Sequence, residues 1–545
     1  MESIIAFFLS VMTFFYGIFG WCDLTNRYQF RVDASAPGEE IGNLTKCINL
    51  WDMGTTYYAP QRNEKYDIYE FVEYVQLMQC TGGTLSRDLF KDPSDRDVPD
   101  DYDFSRLVKN CAGILSLGAK PHLKLGGVPL KYTTDPEACV FSENANPPDD
   151  YDVYYAYIRA CAQALVDEFG ADEVRSWHFG VMTEYENADW FCTKDRDPAH
   201  TAREFCKLYD YTVGALQDVL GEEIYVGAHS MTVTEGLWDE EIFIRHCAIG
   251  TNYYTGRKGS RLCYLSGSFY DIRPGEFTSG KTLPETIAYL RKTAERYGFR
   301  DLDYGIDEGR ILGGNHRGAD SDELLSRSSG FTWQGAYDAR QYGQMLDGGI
   351  DYFSYWDYLT GGLSEGFPTV SYHVSRLISQ YRGSRLLPVK TVLKGTNSKA
   401  EVSAYAAYNG TTRTLRAFAY NFKNDLSYFR PAKVTLAFDA PQYPDGEVTV
   451  TVYRINDDCN YFDEWTADRE ANGITDDMFS WSPDDGCVLM MRDQKAKDLF
   501  SANYEKYEAC AALTPQTFKV EVKGGRLTLT DTLPANTAAF YVING

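Results

Sequence analysis

Histidine is scarce: seven residues in 545, none close to another along the chain. Thirteen cysteines are scattered singly from Cys22 to Cys510 without one Cys-x-x-C pair, so neither a structural zinc site nor a disulfide framework is expected. Lysine and arginine, 53 together, are outnumbered by 78 Asp and Glu; the formal net charge of −25 argues against a nucleic-acid partner, which needs a basic patch to release counterions. No Gly-rich phosphate loop follows the first predicted strand, and no Gly-x-Ser-x-Gly elbow is present. Nucleotide binding and serine hydrolysis therefore lack their usual scaffolds. Internal repeats and low-complexity tracts are also missing.

What is abundant is aromatic: 41 Tyr, 30 Phe and 9 Trp. Most must serve as core and interface packing, but their faces also suit stacking on sugar rings. With 44% hydrophobic residues, a chain of this length has material for two or three domains rather than one core.

Ile4 to Cys22 carries no charge and is about as long as a helix spanning a bilayer core. Glu2 precedes it, and there is neither a Lys or Arg before Arg27 nor an Ala-x-Ala ending of a cleavable leader. Residues 1–22 are read as an export signal or membrane anchor, which implies a secreted or membrane-anchored extracellular protein with possible membrane association. The competing reading is a hydrophobic helix folded onto the body. Asn43-Leu-Thr45 and Asn409-Gly-Thr411 are glycosylation sequons on a eukaryotic secretory route.

Beyond a polar linker or edge strand at residues 23–41, strands and helices alternate. Strands are expected at Cys47–Asp52, Val75–Cys80, Pro121–Leu125, Val174 to Glu184, Ile224–His229, Leu262–Ser266, Leu302–Ile306 and Ile350–Trp356. Helical spacing marks Tyr66–Tyr74, Ser105–Leu117, Asp152–Phe169, Phe205–Leu220, Ile287–Tyr297 and Ala336–Leu346, several closed by a glycine such as Gly118, Gly170 or Gly298. Eight strands alternating with helices over residues 42–386 predict an α/β fold, a (β/α)8 TIM barrel with insertions. A doubly wound open sheet is the competitor. From 387 to 545 the helical spacing gives way to short alternating segments and turns, which predict an all-β sandwich domain; Asp457–Leu513 reads as a long insertion.

Functional groups of such barrels collect at the C-terminal ends of the strands. Glu184 and Glu308 fall at the ends of the predicted fourth and seventh strands, which share one mouth. Two carboxylates facing each other in an aromatic-lined cleft suit glycoside cleavage, one protonating the leaving oxygen and the other attacking the anomeric carbon. Glu186 is a further acid but is placed in the following loop. Asp52, His122, Lys124, His229, Tyr270 and Trp356, near predicted strand ends, are candidate contacts to sugar hydroxyls. No metal and no cofactor are expected.

Trp177-x-Phe-x-Val-x-Thr-Glu184 resembles the acid/base segment of glycoside hydrolase family 39, the family of β-xylosidases and α-L-iduronidases in a retaining barrel clan. Asp189-Trp190-Phe191 resembles the aromatic end of that segment, Tyr304-Gly-Ile-Asp-Glu308 its nucleophile strand, and Tyr355-Trp356-Asp357 its strand-eight neighbourhood. The resemblance implies Glu184 as acid/base, Glu308 as nucleophile, a carbohydrate substrate and a retaining hydrolase of β-linked glycosides, β-xylosidase-like or related. The sequence departs from the family at several points. Thr183 stands where the clan has an Asn that bonds the sugar 2-hydroxyl, Tyr185 replaces Pro, Gly180 an acid, Met182 a Trp and Gly309 an aromatic. Tyr264-Leu-Ser-Gly-Ser268 lacks an expected His. These departures motivate one alternative, a non-catalytic glycan-binding protein on a glycosidase scaffold, beside a third reading as an assembly scaffold.

Overall fold

The computed structural model describes residues 26–50, 65–78, 80–138, 143–232, 235–273, 276–277, 281–311, 333–355, 368–396, 400–425, 427–475, 479–480, 490–491 and 493–544. The hydrophobic segment 1–22, Asp52 and Trp356 lie outside them. No helix among the described residues is long and apolar enough to cross a membrane.

The strands up to the barrel's end are β1 (Arg27–Asp33), β2 (Cys47–Leu50), β3 (Tyr74–Leu77), β4 (Lys120–Leu125), β5 (His178–Val181), β6 (Tyr225–Ser230), β7 (Tyr264–Arg273), β8 (Glu276–Phe277), β9 (Asp303–Ile311) and β10 (Tyr352–Phe353). Eight of them, β2 to β7 with β9 and β10, are parallel neighbours in chain order. A parallel bridge between Ile48 and Tyr355 closes the circle. The short β8 pairs only with β7, as an antiparallel extension. This is the predicted barrel.

Its helices form where the apolar spacing places them and stop where capping chemistry stops them. Tyr151–Phe169 starts at Asp150, whose carboxylate accepts from the Asp152 and Val153 amides, and ends at Gly170 with φ +84°. Leu283–Arg296 carries a full capping box between Thr282 and Glu285. Pro198–Leu220 begins earlier than its apolar stripe, because Asp197 caps it and Pro198 suits its first turn.

Three local expectations are corrected. Tyr66–Tyr74 is not a helix: one 3-10 turn, Ile68–Glu70, is capped by Asp67 and gives way to β3. Val174 belongs to a short helix, Ala171–Arg175, so the strand that follows is only His178–Val181. Trp177 and Phe179 mimic a longer alternation because both are fully buried, one on each side of that junction. Arg27–Asp33, expected as a linker or edge strand, is an interior strand. It runs parallel to Ala432–Asp439 and antiparallel to Val389–Leu393, with Tyr28, Phe30 and Val32 filling the sandwich core.

The C-terminal domain is a sandwich. β1 shares a four-stranded sheet with Val389–Leu393, Ala432–Asp439 and Arg526–Leu533, and six further strands from Arg385–Leu387 to Thr537–Asn544 form the other sheet. Between Gly446–Ile455 and Gln516–Val522 the described residues include the α-helices Phe462–Ala471, Gln494–Ala502 and Tyr504–Ala511.

The barrel interior is filled with aromatic and polar side chains. Near its floor Tyr74, His178 and Tyr225 stack, with ring centroids 3.7 and 4.0 Å apart. Glycines on inward-facing positions make room for large neighbours. A Cβ on Gly180 would come within 2.7 Å of the Tyr264 hydroxyl, and one on Gly305 within 2.1 Å of the Tyr352 ring. Gly180 thus gives its space to Tyr264 and the Lys124 stem.

Candidate active site

The loop after β5 is set by its backbone. Met182 and Glu184 both adopt left-handed conformations, with φ of +66° and +42°, which are uncommon for residues with a Cβ and mark stored strain. The loop is tied down on both sides: the Met182 amide donates to the Leu125 carbonyl at 2.7 Å and the Tyr185 amide to the His229 carbonyl at 3.0 Å. Gly126, φ +105°, lets the β4 end approach, since a Cβ there would sit 2.9 Å from the Met182 nitrogen. Tyr185 is fully buried and stacks on Phe205 at 4.7 Å, anchoring the turn from below. Glu184 therefore stands three residues beyond the strand, not on its last residue, and its carboxylate turns into the mouth.

On β9 a register shift does the equivalent work. Gly267 pairs with Ile306 and Ser268 with Glu308, so Asp307 is an extra residue in the ladder. Adjacent residues of a regular strand face opposite sides; the bulge lets both carboxylates enter the barrel. Asp307 accepts from Tyr352 at 2.6 Å and pairs with Lys124, both partners buried. Glu308 accepts from the Tyr270 hydroxyl at 3.0 Å.

The two glutamates meet. One carboxylate oxygen of each, with a ring nitrogen of His229, lies within 4.8 Å of the others. Glu184 Oε1 accepts from Ser268 at 2.6 Å, and Oε2 from Asn187 at 2.8 Å and the Trp190 indole at 3.2 Å. Burial pushes its carboxyl above the ordinary range against those three donors, and Asp189 adds to the rise. His229 is held neutral, well below the usual imidazole value, by burial and then by Lys124. Burial also opposes the charge on Asp307, but the paired Lys124 holds it ionised, below the usual carboxylate range.

The remaining candidates divide. Tyr270 and His229 join the two glutamates. Lys124, behind them, engages Asp307. His122 lies deeper, bonded through Nε2 to Tyr264 at 2.9 Å, with burial driving its pKa down to about 3. Thr183 turns its hydroxyl to the Met78 sulfur at 3.6 Å. Glu186 faces away from this cluster, accepting from Ser230 at 2.7 Å and the Met231 amide at 2.6 Å. Ser268, Asn187 and Asp307 join this cluster although the sequence does not single them out; Asn187 and Asp307 lie beside the motif glutamates in the chain, whereas Ser268 carries no such signal. Glu184, His229 and Glu308 are also the one His/Cys/Asp/Glu set among the described residues with the spacing for a cation, but protein donors already engage an oxygen of each glutamate.

Residues 67–300 match the family model for glycosyl hydrolases family 39. The match covers a little under half of the chain. The matched span includes Glu184 and ends short of Glu308, so the pairing of the two rests on the geometry. In sequence, the chain is 29% identical over 121 residues to a beta-xylosidase of Caldicellulosiruptor saccharolyticus, covering 22% of the chain and 23% of that protein. It is 26% identical over 148 residues to a beta-xylosidase of Geobacillus stearothermophilus, covering 27% and 28%. The chain thus spans about a quarter of the length of the curated relatives it matches. In fold it is similar to the GH39 enzyme from Xanthomonas axonopodis pv. citri, with a TM-score of 0.64 and 13% identity over 95% of this chain and 97% of that one. A bacterial orthologue of human α-L-iduronidase gives 0.65 and 14% over 95% and 84%.

Proposed function

We propose that the protein is a retaining glycoside hydrolase acting on β-linked, β-xyloside-like substrates, with Glu184 as acid/base and Glu308 as nucleophile. The observation that carries this reading is the approach of the two carboxylates to within 4.8 Å. Retaining enzymes hold their carboxyl groups roughly 5–5.5 Å apart, whereas inverting ones leave about 6.5–9.5 Å for a water. A site that keeps both groups at reaction distance favours catalysis over glycan binding alone.

The chemistry follows from the environments. Glu184, whose affinity for its proton is raised by burial, gives that proton to the glycosidic oxygen as the bond to the anomeric carbon breaks. A Glu308 oxygen bonds to that carbon from the opposite side, forming a glycosyl ester, with Tyr270 orienting the carboxylate. Glu184, now ionised, takes a proton from water, and the water oxygen displaces Glu308. Two inversions retain the configuration.

A panel of aryl glycosides of xylose, glucose, arabinose and uronic acids, with the first-formed anomer followed by proton NMR, tests the proposal. Release of the β-anomer from a β-glycoside is expected; release of the α-anomer, or no hydrolysis across the panel, would overturn it.

A further inference from the structure

Glu184 has three hydrogen-bond donors of two kinds. The Asn187 amide and the Trp190 indole N–H, both on Oε2, can only donate through those nitrogens. The third, the Ser268 hydroxyl on Oε1, can turn round. Ser268 Oγ also lies 2.8 Å from His229 Nε2, so the hydroxyl stands between the carboxylate and a ring nitrogen whose tautomer decides whether it accepts or donates. His229 Nδ1 is buried with no hydrogen-bond partner, and nothing on that side of the ring fixes the tautomer. All three residues are buried: His229 and Ser268 fully, and Glu184 to 9% exposure.

We propose that Ser268 and His229 are positioning residues that place the acid proton of Glu184 on Oε1 and yield it on demand. This inference rests on the reading of Glu184 as the acid. With Glu184 protonated, Oε1–H donates to Ser268 Oγ and the Ser268 O–H donates to bare His229 Nε2. When the proton leaves for the glycosidic oxygen, Ser268 keeps its own proton and swings it from His229 to the new carboxylate. His229 stays neutral throughout. Oε2 cannot hold the proton without turning it against two fixed N–H groups.

The other titratable groups facing this chain are Asp189 on the Glu184 loop, Glu308 with Tyr270 across the mouth, and Lys124, Asp307 and His122 around His229. None of them offers Oε1 a reversible hydroxyl in the structure.

The relay has a signature that a purely structural role lacks, because its two members act on Glu184 with opposite sign. Ser268 stabilises ionised Glu184, so Ser268→Ala should move the alkaline limb of the kcat/KM profile up by roughly half to one pH unit. His229 competes for the same hydroxyl, so His229→Phe should free Ser268 and move the limb down. In the Ser268→Ala background, His229→Phe should add no further movement, and Ser268→Thr should restore the wild-type limb. Movement of both single variants in one direction, or of neither, would overturn the relay. Nitrogen NMR of the His229 ring in the unaltered protein gives a second reading independent of folding or activity. A bare Nε2 below the alkaline limb is expected, and a protonated Nε2 there would overturn the assignment. Absence of any hydrolysis would sink the hydrolase reading but leave the NMR result to decide the relay.

Discussion

Asp307 and Glu308 are adjacent on one strand, yet both carboxylates enter the barrel, the first against Lys124 and the second opposite Glu184. The bulge assigns them different work. Asp307 is locked in the buried ion pair, whereas Glu308 faces Glu184 and His229.

Lys124→Met removes the partner of a fully buried carboxylate and should cost roughly 3–5 kcal/mol in urea unfolding. Adding Asp307→Asn should recover much of that loss. The folded-state pKa of Asp307 is depressed, so its contribution in the wild type is fully present above the unfolded value of 3.8 and is lost only as pH falls through the folded value, well below that. The deficit of the single variant should therefore shrink, without vanishing, between pH 7 and pH 3, as measured by the difference in unfolding midpoint from the wild type at each pH.

Glu308→Gln keeps the shape and the acceptor for Tyr270 but weakens the nucleophile. Turnover should fall by more than about 1000-fold with circular dichroism and melting temperature unchanged. Near-normal kcat would remove Glu308 from the mechanism.

Glu184→Ala should lower kcat on unactivated glycosides by about 10²–10⁴-fold, the usual worth of a general acid. A substrate with a good leaving group needs little protonation, so the first, glycosylation step on dinitrophenyl glycosides should be much less affected in a burst experiment. Azide should restore turnover by taking the place of the activated water, and the product to look for is the β-glycosyl azide.

Sequence patterns go far here for architecture and only part of the way for the site. Eight strands and the sandwich were legible because their apolar periods match buried faces. Glu184 and Glu308 were legible because they end apolar runs. The bulge at Asp307 and the left-handed Met182 and Glu184 were not, since no residue type there requires them. Nor was the part played by Ser268: a serine on β7 acquires meaning only from His229 on the neighbouring strand. Tyr66–Tyr74 shows the opposite error, a helical spacing of aromatics created by packing around a single turn.

Glu186, buried, and Glu240, partly buried, share the single Ser230 hydroxyl, at 2.7 and 3.0 Å. Burial, then Glu240, pushes the Glu186 carboxyl up to about 8. A raised carboxylate stabilises the fold below its unfolded value of 4.5 and loses that contribution as pH rises through the folded value near 8. Glu186→Gln should thus raise Tm at pH 8 by a few degrees and change it little at pH 4, as scanning calorimetry can determine.

The barrel is a hoop with a clasp. Its circle is completed where Ile48 meets Tyr355, with the Asn49 amide on the Tyr355 carbonyl, and β10 contributes only Tyr352 and Phe353 to the ladder. The Asn49 side chain reaches from this clasp to the Asp307 carbonyl at 2.8 Å, the backbone just before the proposed nucleophile. Undoing the clasp would therefore release one of the two side-chain amides, Asn49 and Gln76, that hold the backbone just before Glu308.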